Sequence, residues 1–156
     1  SLLRLVPQGR CDDKLMLSKA TKWELGEKVK SLQEKYPFMD IRLGAPFNCI
    51  TLSSKECSAA KDKLLISATG EIFPCEAFKF LKGTRPRIYD HAIESIWEND
   101  DLLCNIRALS QEKIEHCSSC SLFKGCNAGC HGQRLQCNGS LLIGPEPDCS
   151  ATEKNF

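Results

Sequence analysis

At 156 residues, with 21 basic against 20 acidic side chains and a formal charge of +1, the chain can bury one substantial core, split into two unequal lobes, and shows no electrostatic footprint for nucleic acid. No apolar run approaches the ~20 residues that span a bilayer, and no basic n-region marks a signal peptide, so neither a membrane nor a nucleic acid is an expected partner. Eleven cysteines are an odd number, which leaves any all-disulfide scheme with a spare thiol; a reducing, cytoplasmic setting is expected.

Leu2–Val6 reads as a short buried strand stopped by Pro7-Gln8-Gly9, as if the chain were entered mid-strand and were a fragment. Thr21-Lys22-Trp23-Glu24 fits a capping box, and Leu25, Val29, Leu32 and Tyr36 then recur as one apolar helical stripe facing a core. Pro37 ends that helix, and Asp40–Leu43 forms a second short strand closed by Gly44-Ala45-Pro46. Strand, helix and strand together make one βα unit plus the next strand, too little for a parallel-sheet domain alone.

The style changes after about residue 48. Lys63–Ser67 and Glu71–Pro74 flank Ala68-Thr69-Gly70, a β-hairpin in which Gly supplies the positive φ, and Cys75 sits just past its second strand. Asp90 is placed to cap a helix carrying Ile93, Ile96 and Trp97; a second helical stretch from Asp101 to about Ala108 offers Leu102, Leu103 and Ile106. Beyond Cys117 regular pattern fades into turns, with Gly144-Pro145-Glu146-Pro147 a stiff approach to Cys149. Such a segment buries little apolar surface, and metal–thiolate bonds fit the need for another organiser.

The cysteines carry the chemistry. Cys57-x12-Gly70-x4-Cys75 is followed by Cys117-x2-Cys120-x5-Cys126-x3-Cys130 and a final Cys149. A zinc ribbon uses paired C-x2-C knuckles around one ion, whereas only Cys117-x2-Cys120 is a knuckle here. Seven or eight thiols match two four-ligand sites, as two cubane clusters require. Two alternatives stand beside this: a zinc-binding structural module serving as a protein-interaction platform, and a thiol redox protein using Cys117 and Cys120. The second lacks the surrounding βαβ pattern.

This pattern resembles the SPASM domain, the auxiliary-cluster module of radical SAM enzymes that mature peptides and proteins. The resemblance covers roughly residues 48–152 and includes the hairpin Ile66–Cys75 and the helix ending Ile96-Trp97. It implies two [4Fe-4S] clusters. One would be held by Cys117, Cys120, Cys126 and Cys149; the other by Cys75, Cys130 and Cys57, with Cys49 in the right region for the fourth place. The strict motif omits Cys49, so that cluster has either four protein ligands or an open iron; four is the expectation.

The implied fold is α+β: a β-hairpin and short helices around two iron–sulfur clusters, preceded by a strand-helix-strand remnant of a partial radical SAM barrel. Residues 1–47 would be that remnant and 48–156 the auxiliary-cluster domain. The implied partners are a peptide or protein substrate, the rest of the barrel and a redox donor protein.

The motif that ligates the S-adenosylmethionine-cleaving cluster, C-x3-C-x2-C, is absent, because Gln133 stands where Cys126-x3-Cys130 needs its third cysteine. S-adenosylmethionine is therefore expected only in a full-length parent enzyme, and the chain is not competent alone. Cys11, Cys104 and Cys137 fall outside the pattern and read as structural or free thiols, Cys104 as a small buried hydrophobe. His116 and His131 adjoin ligand cysteines, and Lys79, Lys82, Arg85 and Arg87 form a modest basic patch on a solvated loop.

Overall fold

A computed structural model describes residues 2–11 and 13–153. Ser1 and residues 154–156, the outer ends of the two expected units, lie outside the described residues. The two N-terminal strands shrink to one pairing: Leu2 makes an isolated parallel bridge with Leu43, and Leu2 N donates to Arg42 O at 2.9 Å. Leu3 and Leu5 are exposed, and among the described residues no sheet covers this extended segment.

Between these strands runs α1 (Lys19–Lys35). Its cap is Ser18, whose Oγ accepts from Thr21 N at 3.1 Å, so Thr21 lies inside the helix rather than at its start. Ser18 caps as well as Thr21 would, and Lys19 and Ala20 are good helix formers, so the helix gains most of a turn. The apolar stripe is core only at its beginning. Val29 is buried and Leu25 packs beside it, but Leu32 and Tyr36 are 44% and 43% exposed. The cover over α1 is small: Leu2, Leu43 and Phe47 join a single turn, α2 (Asn48–Thr51), whose Ile50 lies on Gly26.

The main core forms around the hairpin. β1 (Leu65–Ile66) pairs antiparallel with β2 (Ile72–Phe73), Leu65 opposite Phe73 and Ile66 opposite Ile72. Gly70 has φ 79° at the turn, a conformation that only glycine adopts without strain. After β2 comes Cys75 and a 3-10 helix, Glu76–Leu81. α3 (Ile93–Asn99) starts after Ala92 with no side-chain cap, so Asp90 does not serve it. Asp100 instead caps α4 (Asp101–Arg107), accepting from Leu103 N at 3.0 Å and from Arg85 Nη2 at 2.7 Å. Ile72, Phe73, Phe78, Leu103 and Ile106 are together essentially free of solvent.

Beyond Cys117, where the sequence predicts turns, the chain forms α5 (Phe123–Cys126) and α6 (His131–Asn138). α6 carries no apolar stripe because its buried residues are His131, Gly132, Gln133 and Arg134. It sits on the Glu76–Leu81 turn through a contact that leaves no room for a methyl group: a Cβ at Gly132 would lie 2.6 Å from Ala77 Cβ and 2.8 Å from Ala77 O. Gly132→Ala is expected to cost about 1–3 kcal/mol of stability by overpacking, read as a lower midpoint in chemical denaturation. An unchanged midpoint would mean that the two backbones separate freely.

Candidate metal centre

Three chain segments bring four thiols to one cavity. Cys117 ends a 3-10 turn (Glu115–Cys117), Cys120 follows it, Cys126 closes α5, and Cys149 arrives from the Pro145–Pro147 stretch. All four line the same small cavity with His116, Phe123 and Ala128. Local bonds hold this geometry: Cys120 N donates to Cys117 O at 3.0 Å, and Gln111 Nε2 reaches the carbonyls of both cysteines. His116 Nε2 lies 3.7 Å from Cys149 Sγ, which places this histidine against a ligand candidate rather than in solvent.

A second locality gathers Cys57, Cys75 and Cys130. Cys130 is buried in the main core, and Cys57 and Cys75 pack against it. The thiols feel one another: burial first, then Cys130 and Cys57, push Cys75 up to about 12. In the first group, burial pushes Cys117 up to about 11; Cys126, Cys149 and Cys120 add to the rise, and Arg134 opposes it. Burial is the first cause in both cases, as it disfavours a thiolate away from water.

Cys49 does not sit with the second group. Its Sγ lies 3.4 Å from Cys126 Sγ, bridging toward the first group, and it is fully buried beside Glu146. The contact splits the pair: Cys49 is raised because its proton is held against Cys126 and burial disfavours its charge, and the same bond lowers Cys126. Among the described residues, no three His, Cys, Asp or Glu side chains converge as tightly as a single ion requires. The sulfurs line the walls of a cavity instead.

The cysteines outside the pattern behave differently from one another. Cys137 is exposed and Cys11 half-buried. Cys104 is half-buried too, not a plain hydrophobe: its Sγ donates to Glu98 O at 3.1 Å and accepts from Arg107 Nη2 at 3.3 Å. The basic patch also divides. Arg85 binds Asp100 and Ile72 O, and Arg87 donates to Thr69 O beside the Tyr89 ring, so both are structural ties. Lys79 and Lys82 remain exposed, lining an open cleft with Arg10, Gln8 and Gln136.

Sequence reasoning missed two buried charged groups at this site. Arg4 Nη2 meets Glu146 and Gln133, and Nη1 lies 3.1 Å from Asp148 Oδ2. Lys22 Nζ holds the other Asp148 oxygen at 2.9 Å. Burial pulls the Arg4 guanidinium down, but Glu146 and Asp148 outweigh it and its pKa rises. The second is Arg134, 1% exposed, whose Nε and Nη1 have no partner. His131, next to Cys130, is buried with Nδ1 unpartnered, and desolvation with nearby Arg134 and Lys61 brings it down to about 4, so it is neutral. An arginine one helical turn after Cys130, a candidate ligand, is the available signal for Arg134.

Comparison with known proteins agrees with the thiol pattern. Residues 57–121 match the family model described as the SPASM iron–sulfur cluster-binding domain. No curated protein matches. Among solved structures, Streptococcus suis SuiB is similar at 21% identity and TM-score 0.50, covering 91% of this chain and 36% of that one. SuiB bound to S-adenosylmethionine is similar at 21% identity and TM-score 0.47, covering 86% and 34%. The chain thus spans about a third of the length of the solved structures it resembles. The described residues contain no helix long and apolar enough to cross a membrane. The mixed helices and two-stranded sheet and the clustered thiols accord with that match, in which residues 57–121, under half of the chain, are similar to the SPASM iron–sulfur cluster-binding domain.

Proposed function

We propose that this chain binds two auxiliary [4Fe-4S] clusters for a radical SAM enzyme that modifies a peptide or protein. Cys117, Cys120, Cys126 and Cys149 hold one. Cys57, Cys75 and Cys130 hold the other, with Cys49 completing it once its thiol leaves Cys126. The observation that carries this reading is the meeting of four thiols from three segments in one cavity, with three more in a second locality. All donors are soft sulfur, the ligand chemistry that iron–sulfur clusters require. The buried, unneutralised Arg134 beside Cys117 fits an anionic group in the first cavity. When bound, such clusters supply one-electron transfer or an iron that engages substrate.

The parallel Leu2–Leu43 bridge across α1 supports reading residues 1–47 as part of a partial barrel and 48–156 as the cluster domain. Phe47 and Ile50 share one small core across that boundary, so the two units are joined there by packing. S-adenosylmethionine cleavage, the peptide or protein substrate and a redox donor protein belong to the parent enzyme in this reading, and the cytoplasm is its compartment. The test is anaerobic reconstitution followed by iron and sulfide analysis: about eight of each per chain is expected from two cubanes. One zinc ion per chain with no inorganic sulfide would replace this reading with the structural zinc module.

A further inference from the structure

α6 buries a guanidinium that the described protein does not neutralise. Arg134 Nη2 donates to Ala128 O at 2.9 Å and lies 3.7 Å from Cys117 Sγ; Nε and Nη1 are buried without partners. The buried carboxylates nearby, Glu146 and Asp148, are held by Arg4 and Lys22. Among the described residues no carboxylate forms an ion pair with Arg134. A carboxylate or a lysine in such a place sheds its charge, but arginine cannot. An uncompensated buried cation is strongly destabilising, so an anion belongs beside it.

The groups placed to become that anion are thiols. Cys117 is in contact with Arg134 through its Sγ. With four thiolates around an iron–sulfur core the same cavity holds net negative charge in either oxidation state. Arg134 is aligned for this by α6 itself: Arg134 N donates to Cys130 O at 3.0 Å, so the helix that starts at one ligand cysteine delivers the cation to the other group.

We propose that Arg134 is the built-in counter-charge of the iron–sulfur site formed by Cys117, Cys120, Cys126 and Cys149, and that it raises the reduction potential of that site. The inference rests on the two-cluster reading above. Its physical basis is that one-electron reduction adds negative charge, which a cation beside the sulfur stabilises more in the reduced than in the oxidised state. Arg134 is a positioning and tuning residue, not a ligand.

The test uses the full chain, reconstituted anaerobically, as wild type, Arg134→Met, Arg134→Gln and Arg134→Lys. Each is titrated with dithionite while the reduced clusters are followed by electron paramagnetic resonance. Removing the charge is expected to weaken reduction of one cluster at least tenfold, which is a downward shift of about 59 mV for a one-electron couple, and to leave the other unmoved. Arg134→Lys is expected to keep most of the wild-type potential. Full iron content with both potentials unchanged in Arg134→Met or Arg134→Gln overturns the proposal. If neither neutral variant loads iron but Arg134→Lys loads and titrates like wild type, the charge requirement is upheld. If Arg134→Lys also fails to load, Arg134 is a structural fork and the proposal is overturned. A wild-type chain that takes up no iron or sulfide sinks the two-cluster reading first, and this inference with it.

Discussion

Cys126→Ala is expected to remove about half of the iron and sulfide and to strip amide-exchange protection from residues 110–150, while α1 and the hairpin stay protected. The reason is the small apolar support in that region. Its buried cluster is Ile114, Cys117 and Ala128, with Leu109 and Phe123 beside it, and one of those core members is itself a ligand candidate. Its helices are a single turn, α5, and the polar-faced α6. Without the metal group, four thiols line one cavity with an unpaired guanidinium buried beside Cys117, and nothing offsets that burial. Cys49 Sγ, 3.4 Å from Cys126, is placed to substitute as a ligand, so the Cys49→Ala/Cys126→Ala double variant closes that route. Cys137→Ala, at an exposed position on α6, is expected to leave iron content and exchange unchanged. Native-like protection across 110–150 in a double variant that has lost this iron would show that packing alone shapes this half of the chain.

What the sequence made legible follows from range. Cys117, Cys120 and Cys126 are close in the chain, and short turns dictate their meeting, so spacing alone announces the site. The hairpin was readable for the same reason: Gly70 and the flanking apolar residues act over a few positions. Cys149 joined through the resemblance, and the structure delivers it to the same cavity.

Long-range and polar features were hidden. α6 left no apolar periodicity because its buried side chains are His131, Gln133 and Arg134, which a hydrophobic pattern reads as surface. The Leu25–Tyr36 stripe misled in the opposite direction: an amphipathic pattern gives the face a helix could bury, but not how much cover arrives, and here α2 covers one turn. Asp90 and Thr21 were plausible caps displaced by Ala92 and Ser18, since capping chemistry repeats every few residues. Cys49 is legible as a thiol in the right region, but its contact with Cys126, 77 positions away, has no local signature.

Arg4→Met is expected to destabilise the chain by about 3–5 kcal/mol, the cost of leaving buried carboxylates without their cation. Arg4 comes from the extended N-terminal segment, and its side chain is 3% exposed. It ties that segment to three distant places: Pro46 O at 2.9 Å, Gln133 of α6 at 2.5 Å, and the Glu146–Asp148 turn. That turn also presents Cys149, because Cys149 N donates to Glu146 O at 2.9 Å and Asp148 N donates to Glu146 Oε2 at 2.8 Å. Losing Arg4 therefore frees the turn that presents Cys149, a proposed ligand, as well as exposing an unbalanced charge. Asp148 keeps Lys22, so the larger share of the loss falls on Glu146. Glu146→Gln in the Arg4→Met background should recover part of the stability, by removing the orphaned charge while keeping an acceptor for Asp148 N. The double-mutant cycle on chemical denaturation gives the coupling directly, expected at about 1 kcal/mol or more. Additive losses, or an Arg4→Met cost below about 1 kcal/mol, would place this network in the range of exposed ion pairs and leave the N-terminal segment free of the cysteine-bearing lobe.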